Sequence, residues 1–309
     1  MNFMQEDRRT WAAQRGAIKR AEHQLLDHPK VLYDPLALRI IGKDSDSIME
    51  AEILQSEASP LLPCLRAATV VRSRFVEDKL DLGVRRGVDQ YVILGAGLDT
   101  FAYRKPYPES LLHVFEVDHP MTQAWKRDRL EEAGITPPGD LTFVPVDFET
   151  QTLMEGLRDA GYDPDKSTFF SMLGVTPYLT MEAVMATLRL IALAPEGSEI
   201  VFDYLIWPSL LNSDQRLFFE RFAQKVASAG EPWQTFFDPE MLKQDLRAMG
   251  YGYVKDNGPD EIDVLYFKNR KDGLRVWKLT HLMNARIRDV KHVAIHRPLG
   301  SCGRTELIC

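Results

Sequence analysis

The apolar run Tyr91-Val-Ile-Leu94 passes without a break into Gly95-Ala-Gly97. A short apolar run stopped at once by glycines reads as a buried strand that turns sharply at its end. Glycine lacks a Cβ, so the chain can turn tightly there and a ligand can come close to the backbone. Upstream, from about Thr10 to Leu82, the spacing is helical instead. Trp11, Ile18, Ala21 and Leu25 recur along one stripe, and Asp34-Pro35 marks a break. Residues 45–58 suit a further helix, and Ser59-Pro60 opens the next, with proline near its first turn.

Downstream the period changes. Short β-rich runs at 90–94, 112–117, 141–146, 168–173, 198–205, 251–255 and 263–267 alternate with helical stretches at 121–133, 150–160, 180–194, 213–229 and 239–249. This alternation predicts an α/β fold, a doubly wound, mostly parallel sheet of seven strands with right-handed crossovers. The expected division is a helical N-terminal cap over 1–85, a ligand-binding domain over 86–285 and a tail over 286–309. The tail mixes basic residues with Pro298, Gly300 and Gly303 without periodicity and is given no role.

Composition narrows the class. The chain has 309 residues, 45% of them hydrophobic and 27% charged, which suits a globular protein with a substantial core. A formal charge of −7 and a pI of about 5.6 argue against general nucleic-acid binding, which depends on neutralising phosphates. Cys64, Cys302 and Cys309 are few, odd in number and lack metal-ligand spacing, so neither a disulfide framework nor a zinc site is expected. No apolar stretch reaches the roughly 20 residues of a membrane span. The start of the chain also lacks the apolar core of a signal peptide. A soluble cytoplasmic protein is expected, with no membrane or nucleic-acid partner.

The strand ends carry the chemistry. The second strand finishes at Asp118, where a carboxylate meets the ribose hydroxyls of a nucleoside lying across the strand ends. The competing reading is a helix cap ahead of Pro120. Glu116, in the same strand, is the weaker candidate. The third strand finishes at Asp147-Phe148. Asp147 suits the exocyclic amine of an adenine and Phe148 the edge of the base, unless Asp147 merely caps the helix near Thr150. A dinucleotide dehydrogenase prefers Gly-x-Gly-x-x-Gly, but the third place here is Thr100. That favours S-adenosylmethionine over a nicotinamide cofactor.

Arg72 adds an observation from outside the sheet. It falls in the apolar stripe of Leu61, Leu65, Ala68 and Phe75. A guanidinium there needs a partner, because an unpaired buried charge is very unfavourable. The methionine carboxylate of the cofactor is a suitable bidentate partner. An internal pair with Asp99 or Glu77 is the alternative. Arg74, on another face, suits a surface pair with Asp78.

These residues resemble the leucine carboxyl methyltransferase-like family of class I methyltransferases, which includes bacterial and secondary-metabolite O-methyltransferases. The matching stretches are Arg20-Ala-Glu, Asp34-Pro-Leu-Ala, Arg72-Ser-Arg-Phe, Leu94-Gly-Ala-Gly-Leu-Asp-Thr, Tyr103-Arg104, Glu116-Val-Asp-His-Pro, Val146-Asp-Phe and Gly174-Val-Thr-Pro-Tyr-Leu-Thr. The resemblance implies a Rossmann-like seven-stranded sheet with its last strand antiparallel and a helical N-terminal lid over the cofactor. It places S-adenosylmethionine contacts at Arg72, the turn of Gly95, Ala96 and Gly97, Asp118, Asp147 and Phe148. One position departs from the pattern. Many relatives have glutamate where this chain has Leu173, so a carboxylate near the sulfonium is missing.

Methyl transfer from a sulfonium is an in-line displacement that gains from alignment and requires no metal. Acceptor-side candidates are Tyr178, Asp203 and Tyr204, which follow strands four and five at one edge of the sheet. Each has a structural alternative, Tyr178 as a loop cap and Asp203 as a buried partner for a helix. His23, His113 and His119 read as structural or exposed. Trp207, Phe218, Phe219, Phe222, Trp233, Phe236 and Phe237 suggest an apolar acceptor pocket, although some belong to the core. The expected reaction is O-methylation of a small, partly aromatic secondary metabolite. Two alternatives stand: carboxyl methylation of a small acid or protein C-terminus, and a cofactor-binding protein that has lost catalysis. The expected partner is a small-molecule acceptor, and a homodimer is also open.

Overall fold

All five residues of the first strand are buried, because it occupies the middle of a sheet covered by helices on both faces. The computed structural model describes residues 3–42, 45–58, 62–147, 150–228, 230 and 232–287. The chain opens with four helices, α1 (Phe3–Leu26), α2 (Ala37–Ile40), α3 (Ser45–Ala58) and α4 (Leu62–Arg85). It continues through β1 (Gln90–Leu94), β2 (His113–Asp118), α5 (Pro120–Glu132), β3 (Leu141–Pro145) and α6 (Leu153–Asp159). Next come β4 (Thr168–Met172), α7 (Met181–Ile191), β5 (Glu199–Leu205), α8 (Ser213–Ser228) and α9 (Pro239–Ala248). The last elements are β6 (Tyr251–Asn257), α10 (Pro259–Ile262) and β7 (Thr280–Ile287).

The strand order is β3-β2-β1-β4-β5-β7-β6. β1 to β5 pair in parallel, and β7 runs antiparallel between β5 and β6. The chain therefore winds outward from β1 to β3 and then returns to β4 on the other side. Ligands of such sheets bind outside the carboxyl ends of the strands, at the point of reversal.

Two cores flank the sheet. On one face Leu94, Phe115, Phe170 and Phe202 meet Leu157 of α6, Leu188 of α7 and Leu246 of α9. On the other, Tyr91, Ile93, Phe169 and Val201 meet Val70, Val71 and Phe75 of α4. Residues 1–85 are thus not a separate body, since α4 shares a core with the strands. α1 joins a third cluster, where Ala17, Ile18 and Ala21 meet Ile40 and Leu98.

Charges also hold α1 in place. Arg66 grips Asp27 with two hydrogen bonds of 2.7 and 2.8 Å and reaches Glu22 at 3.4 Å. His23 Nδ1 lies 2.7 Å from Asp27, while its Nε2 accepts from the N–H groups of Val31 (2.9 Å) and Leu32 (3.2 Å). Burial works against the Asp27 anion, but the bonds from His23 and Arg66 outweigh it and bring its pKa down to about 2. Such a buried network contributes more to placement than to net stability.

Two sequence expectations are corrected. The run Asp263–Phe267 is a π-helical turn continuing α10, not a strand. Ile262 and Phe267 point inward, while Val264 and Leu265 are 64% and 58% exposed. Two consecutive exposed side chains break the alternation of a strand. The seventh strand is Thr280–Ile287. It lies between β5 and β6 and is covered on both faces, so its sequence carries no period of two. Its polar Asn284 is satisfied internally, donating from Nδ2 to Glu199 Oε1 at 2.6 Å. The boundary expected after residue 285 falls inside this strand, where the Ile287 N–H donates to Ser198 O at 2.9 Å. Ser59-Pro60, Cys302, Cys309 and most of the expected tail lie outside the described residues. Among the described residues, no helix is long and apolar enough to cross a membrane.

Candidate active site

The turn after β1 is tied to β2 by its own backbone. The N–H groups of Gly95 and Ala96 both donate to Val117 O, at 2.9 and 3.1 Å. Gly95 has φ +72°, and a Cβ there would sit 2.4 Å from Val175 Cγ2. Gly97 has φ +44°, and its Cβ would meet Ala13 of α1 at 2.9 Å. Both positions therefore need glycine.

Asp118 lies beside this turn at the end of β2. Its Oδ2 accepts from the Gly97 N–H and its Oδ1 from the His119 N–H, each at 2.7 Å. Burial pushes its carboxyl above the ordinary value, and the two N–H bonds oppose that rise. Asp118 is not the cap of α5. That place belongs to His119, whose Nδ1 accepts from the Met121 N–H at 3.2 Å. A carboxylate oxygen has lone pairs beyond those used here, so a ribose diol can still be received.

Asp147 faces the same space from the end of β3. The helix-cap role belongs instead to Thr152, which forms a reciprocal capping box with Glu155 at the start of α6. It is the backbone carbonyl of Asp147 that accepts from the Thr150 and Gln151 N–H groups, at 2.9 Å each. Phe148 lies outside the described residues. Glu116 is fully buried against Lys126 at 2.6 Å.

Arg72 has an internal partner, but neither of the two expected. Its Nη1 meets Asp203 Oδ2 at 3.0 Å. Glu77 instead holds Arg104 at 2.6 Å, and Asp99 Oδ1 accepts from the Phe101 N–H at 2.7 Å. The other oxygen of Asp203 accepts from the Gly174 N–H at 2.6 Å, and its backbone carbonyl accepts from Thr176 Oγ1 at 2.7 Å. Asp203 on β5 thereby ties α4 to the loop after β4. The guanidinium passes close under that loop, since a Cβ on Gly174 (φ +67°) would lie 2.5 Å from Arg72 Nη2.

Arg20 is the residue the sequence reading missed as a site residue. It stands beside the buried stripe of Ala17, Ile18 and Ala21, the same signal that exposes Arg72. Its Nη2 donates to Leu98 O at 2.6 Å, and its buried Nε lies 3.5 Å from Asp34 Oδ2. Burial lowers its pKa, while Asp34 and Asp99 work to raise it.

Together these groups enclose a cavity of about 520 Å³, lined by Ala12, Ala13, Gly16 and Arg20 of α1, Arg72, residues 95–99, Asp118, Asp147, Leu173, Gly174 and Tyr178. That volume lies within the range of small-molecule and cofactor sites. A smaller cavity of about 160 Å³ adjoins it, sharing Ala12, Gly16, Arg72, Gly174 and Tyr178. Its own lining includes Trp11, Leu62, Leu65, Asp203, Phe222, Trp233 and Trp277.

The acceptor-side candidates divide. Tyr178 borders both cavities, from a short turn after β4. Asp203 faces the smaller cavity. Tyr204 forms part of that cavity's wall, but its hydroxyl donates to Asp256 Oδ1 at 2.9 Å and lies 3.4 Å from His281 Nδ1. The residue is 1% exposed, and burial, then Asp256, push the phenol far above its ordinary pKa. Strand alternation sends the Tyr204 side chain to the opposite face from Asp203, where Asp256 engages its hydroxyl. Of the expected aromatic group, Phe222 and Trp233 line the cavity. Phe219 and Phe237 are core, and Trp207 is exposed beside Phe236. The side chain of Phe218 lies outside the description.

Comparison with known proteins decides the family. The family model described as leucine carboxyl methyltransferase matches residues 13–192. The chain belongs to the leucine carboxyl methyltransferase family. It is a methyltransferase, and S-adenosylmethionine is its cofactor. This methyltransferase is 35% identical over 298 residues to YktD of Bacillus subtilis (strain 168), assigned as an S-adenosyl-L-methionine-dependent methyltransferase, with 87% of this chain and 95% of the relative covered. It is 29% identical to a similarly assigned protein of Mycolicibacterium gilvum (strain PYR-GCK), covering 86% and 92%. In fold, the methyltransferase is similar to a DUF574 family protein from Streptomyces avermitilis MA-4680, with TM-score 0.54, 18% identity and 90% and 98% of the chains covered.

The residues present fit that cofactor. The glycine turn leaves no Cβ between backbone and ligand, and the carboxylates of Asp118 and Asp147 both border the larger cavity, with acceptor capacity for a nucleoside. The guanidinium groups of Arg20 and Arg72, both on the wall of that cavity, supply positive charge for a carboxylate. When bound, S-adenosylmethionine supplies a sulfonium methyl group.

Proposed function

We propose that the methyltransferase methylates a hydroxyl of a small, partly aromatic metabolite. The supporting observation is the smaller cavity, which is lined by aromatic and aliphatic side chains and shares the Arg72, Gly174 and Tyr178 wall with the larger one. An acceptor seated there approaches the cofactor from the side of the strand ends. Holding the two reactants in line supplies much of the rate.

The residues of the wall divide the work. Asp203 is fixed by Arg72 and the Gly174 N–H, so its carboxylate is already oriented when an acceptor arrives. It accepts the hydrogen bond of the acceptor hydroxyl and receives its proton as the oxygen–methyl bond forms. The cofactor would supply the methyl group, its sulfur keeping the electron pair of the carbon–sulfur bond, so the step balances as a methyl ether, a thioether and the proton held by Asp203. Tyr178 borders both cavities and adds aromatic surface where they meet.

A carboxylate acceptor is the second reading, favoured by the family's description. Against it stands the pairing of every cation on the smaller cavity's wall. Arg15 is held by Glu52, Lys19 by Glu22 and Glu52, and Arg72 by Asp203. Leu173, which borders the larger cavity, keeps open a third reading of binding without turnover.

Incubation with methyl-labelled S-adenosylmethionine and a panel of phenols, alcohols and carboxylic acids tests the proposal. A base-stable labelled ether supports it. A base-labile product assigns the ester chemistry instead, and normal cofactor binding without transfer to any compound assigns a lapsed enzyme.

A further inference from the structure

We propose that the smaller cavity is built for a neutral single-ring phenol, an inference that rests on the O-methylation reading above. Size is the first argument. A cavity of about 150 Å³ lined by apolar side chains is known to hold one benzene ring. The cavity here is about 160 Å³, enough for one ring with a small substituent and too small for two fused rings.

The character of the wall is the second argument. Trp233, Phe222 and Trp277 follow one another, with ring centroids 5.3 and 6.4 Å apart and interplanar angles of 42° and 75°. Rings tilted in this way present both faces and edges, which suits offset or edge-to-face contact with a further aromatic ring. Leu65 of α4 adds aliphatic surface.

Charge is the third. Asp203 is the single carboxylate among the residues that line this cavity, and it is held by groups that border the cofactor cavity as well. A phenol hydroxyl can donate to Asp203, which orients the ring with its oxygen toward the shared wall. A benzoate would bring a negative charge to Asp203, with Arg15 and Lys19 held by Glu52 and Arg72 shared between Asp203 and the cofactor's carboxylate, so its desolvation would go uncompensated.

Binding can be measured separately from turnover. With the enzyme saturated in S-adenosylhomocysteine, p-cresol, benzoate and 2-naphthol are titrated by calorimetry and by tryptophan fluorescence, since three tryptophans line the cavity. p-Cresol should bind and change the fluorescence, with benzoate and 2-naphthol weaker by about tenfold or more. Leu65→Trp, which fills the cavity, should abolish p-cresol binding while leaving S-adenosylhomocysteine affinity intact. Ala68→Leu provides a milder filling if the first variant does not fold. Absence of p-cresol binding to enzyme that binds S-adenosylhomocysteine overturns the proposal, as does tighter binding of 2-naphthol or benzoate. Binding of p-cresol in this cavity without methyl transfer to it supports the site and overturns only the O-methylation reading.

Discussion

Arg72 Nη1 and Asp203 Oδ2 lie 3.0 Å apart although 131 positions separate them in the chain. Their pair stands on the wall between the two cavities, so one contact serves both halves of the site. Arg72 brings charge toward the cofactor cavity from α4. Asp203 brings a carboxylate to the acceptor side from β5. Each fixes the other, and the Gly174 N–H fixes Asp203 in turn.

Removing the guanidinium should therefore weaken cofactor binding. For Arg72→Ala the expected loss is roughly 2 kcal/mol, or about thirtyfold in Kd, the scale of a charge-assisted hydrogen bond. Arg72→Lys should recover only part of it, because an ammonium lacks the planar fork. Titration calorimetry with S-adenosylmethionine measures both. Unchanged affinity in a folded Arg72→Ala protein would remove Arg72 from the cofactor site.

Gly174 offers a test that leaves the charges in place. An alanine there must adopt φ +67° and place its Cβ 2.5 Å from the Arg72 guanidinium. The expected outcome for Gly174→Ala is a displaced Arg72 and about tenfold weaker cofactor binding, with roughly 1 to 3 kcal/mol of lost stability from the strained backbone. Denaturant unfolding and calorimetry together read both effects. Wild-type behaviour in both would mean that the close approach of Gly174 and Arg72 does not matter.

Tyr204 separates a structural hydroxyl from a chemical one. Tyr204→Phe removes the bond to Asp256 and leaves the ring in place. Stability should fall by about 1 kcal/mol, while kcat changes little. A large fall in kcat with unchanged stability would return Tyr204 to the catalytic residues.

Asp27 governs acid stability at the α1 end of the site. Its pKa is about 2 in the folded protein against an ordinary 3.8, so its stabilising contribution is present above 3.8 and is lost as pH falls through 2. For this 3%-exposed group the contribution amounts to roughly 2 kcal/mol at neutral pH. Asp27→Asn should thus be less stable than wild type at pH 7, with the difference shrinking as pH drops from about 4 to about 2. Urea unfolding across that interval checks it, and a difference independent of pH would count against the pairing with His23 and Arg66.

Much of this architecture follows from local rules. An apolar run ended by glycines places β1 and its turn, the spacing from that turn places Asp118, and a charge within an apolar stripe marks Arg72. Each of these signals lies within one element and the residues beside it. Other features depend on residues brought together by folding. β7 lies between two strands and is covered on both faces, so its sequence lacks the alternation that would have revealed it, while Asp263–Phe267 has strand-like composition but only enough room for a helical turn. Asp203 and Tyr204 are neighbours in the chain and both touch the smaller cavity, yet the pleat of β5 sends the Asp203 carboxylate to Arg72 and the Tyr204 hydroxyl to Asp256. The sequence by itself determined strands β1 to β6, the glycine turn and the place of Asp118 at a strand end beside it. Tertiary structure alone decided that Asp203 is the partner of Arg72 and that Trp11 and Trp277 line one small cavity, because both depend on elements far apart along the chain.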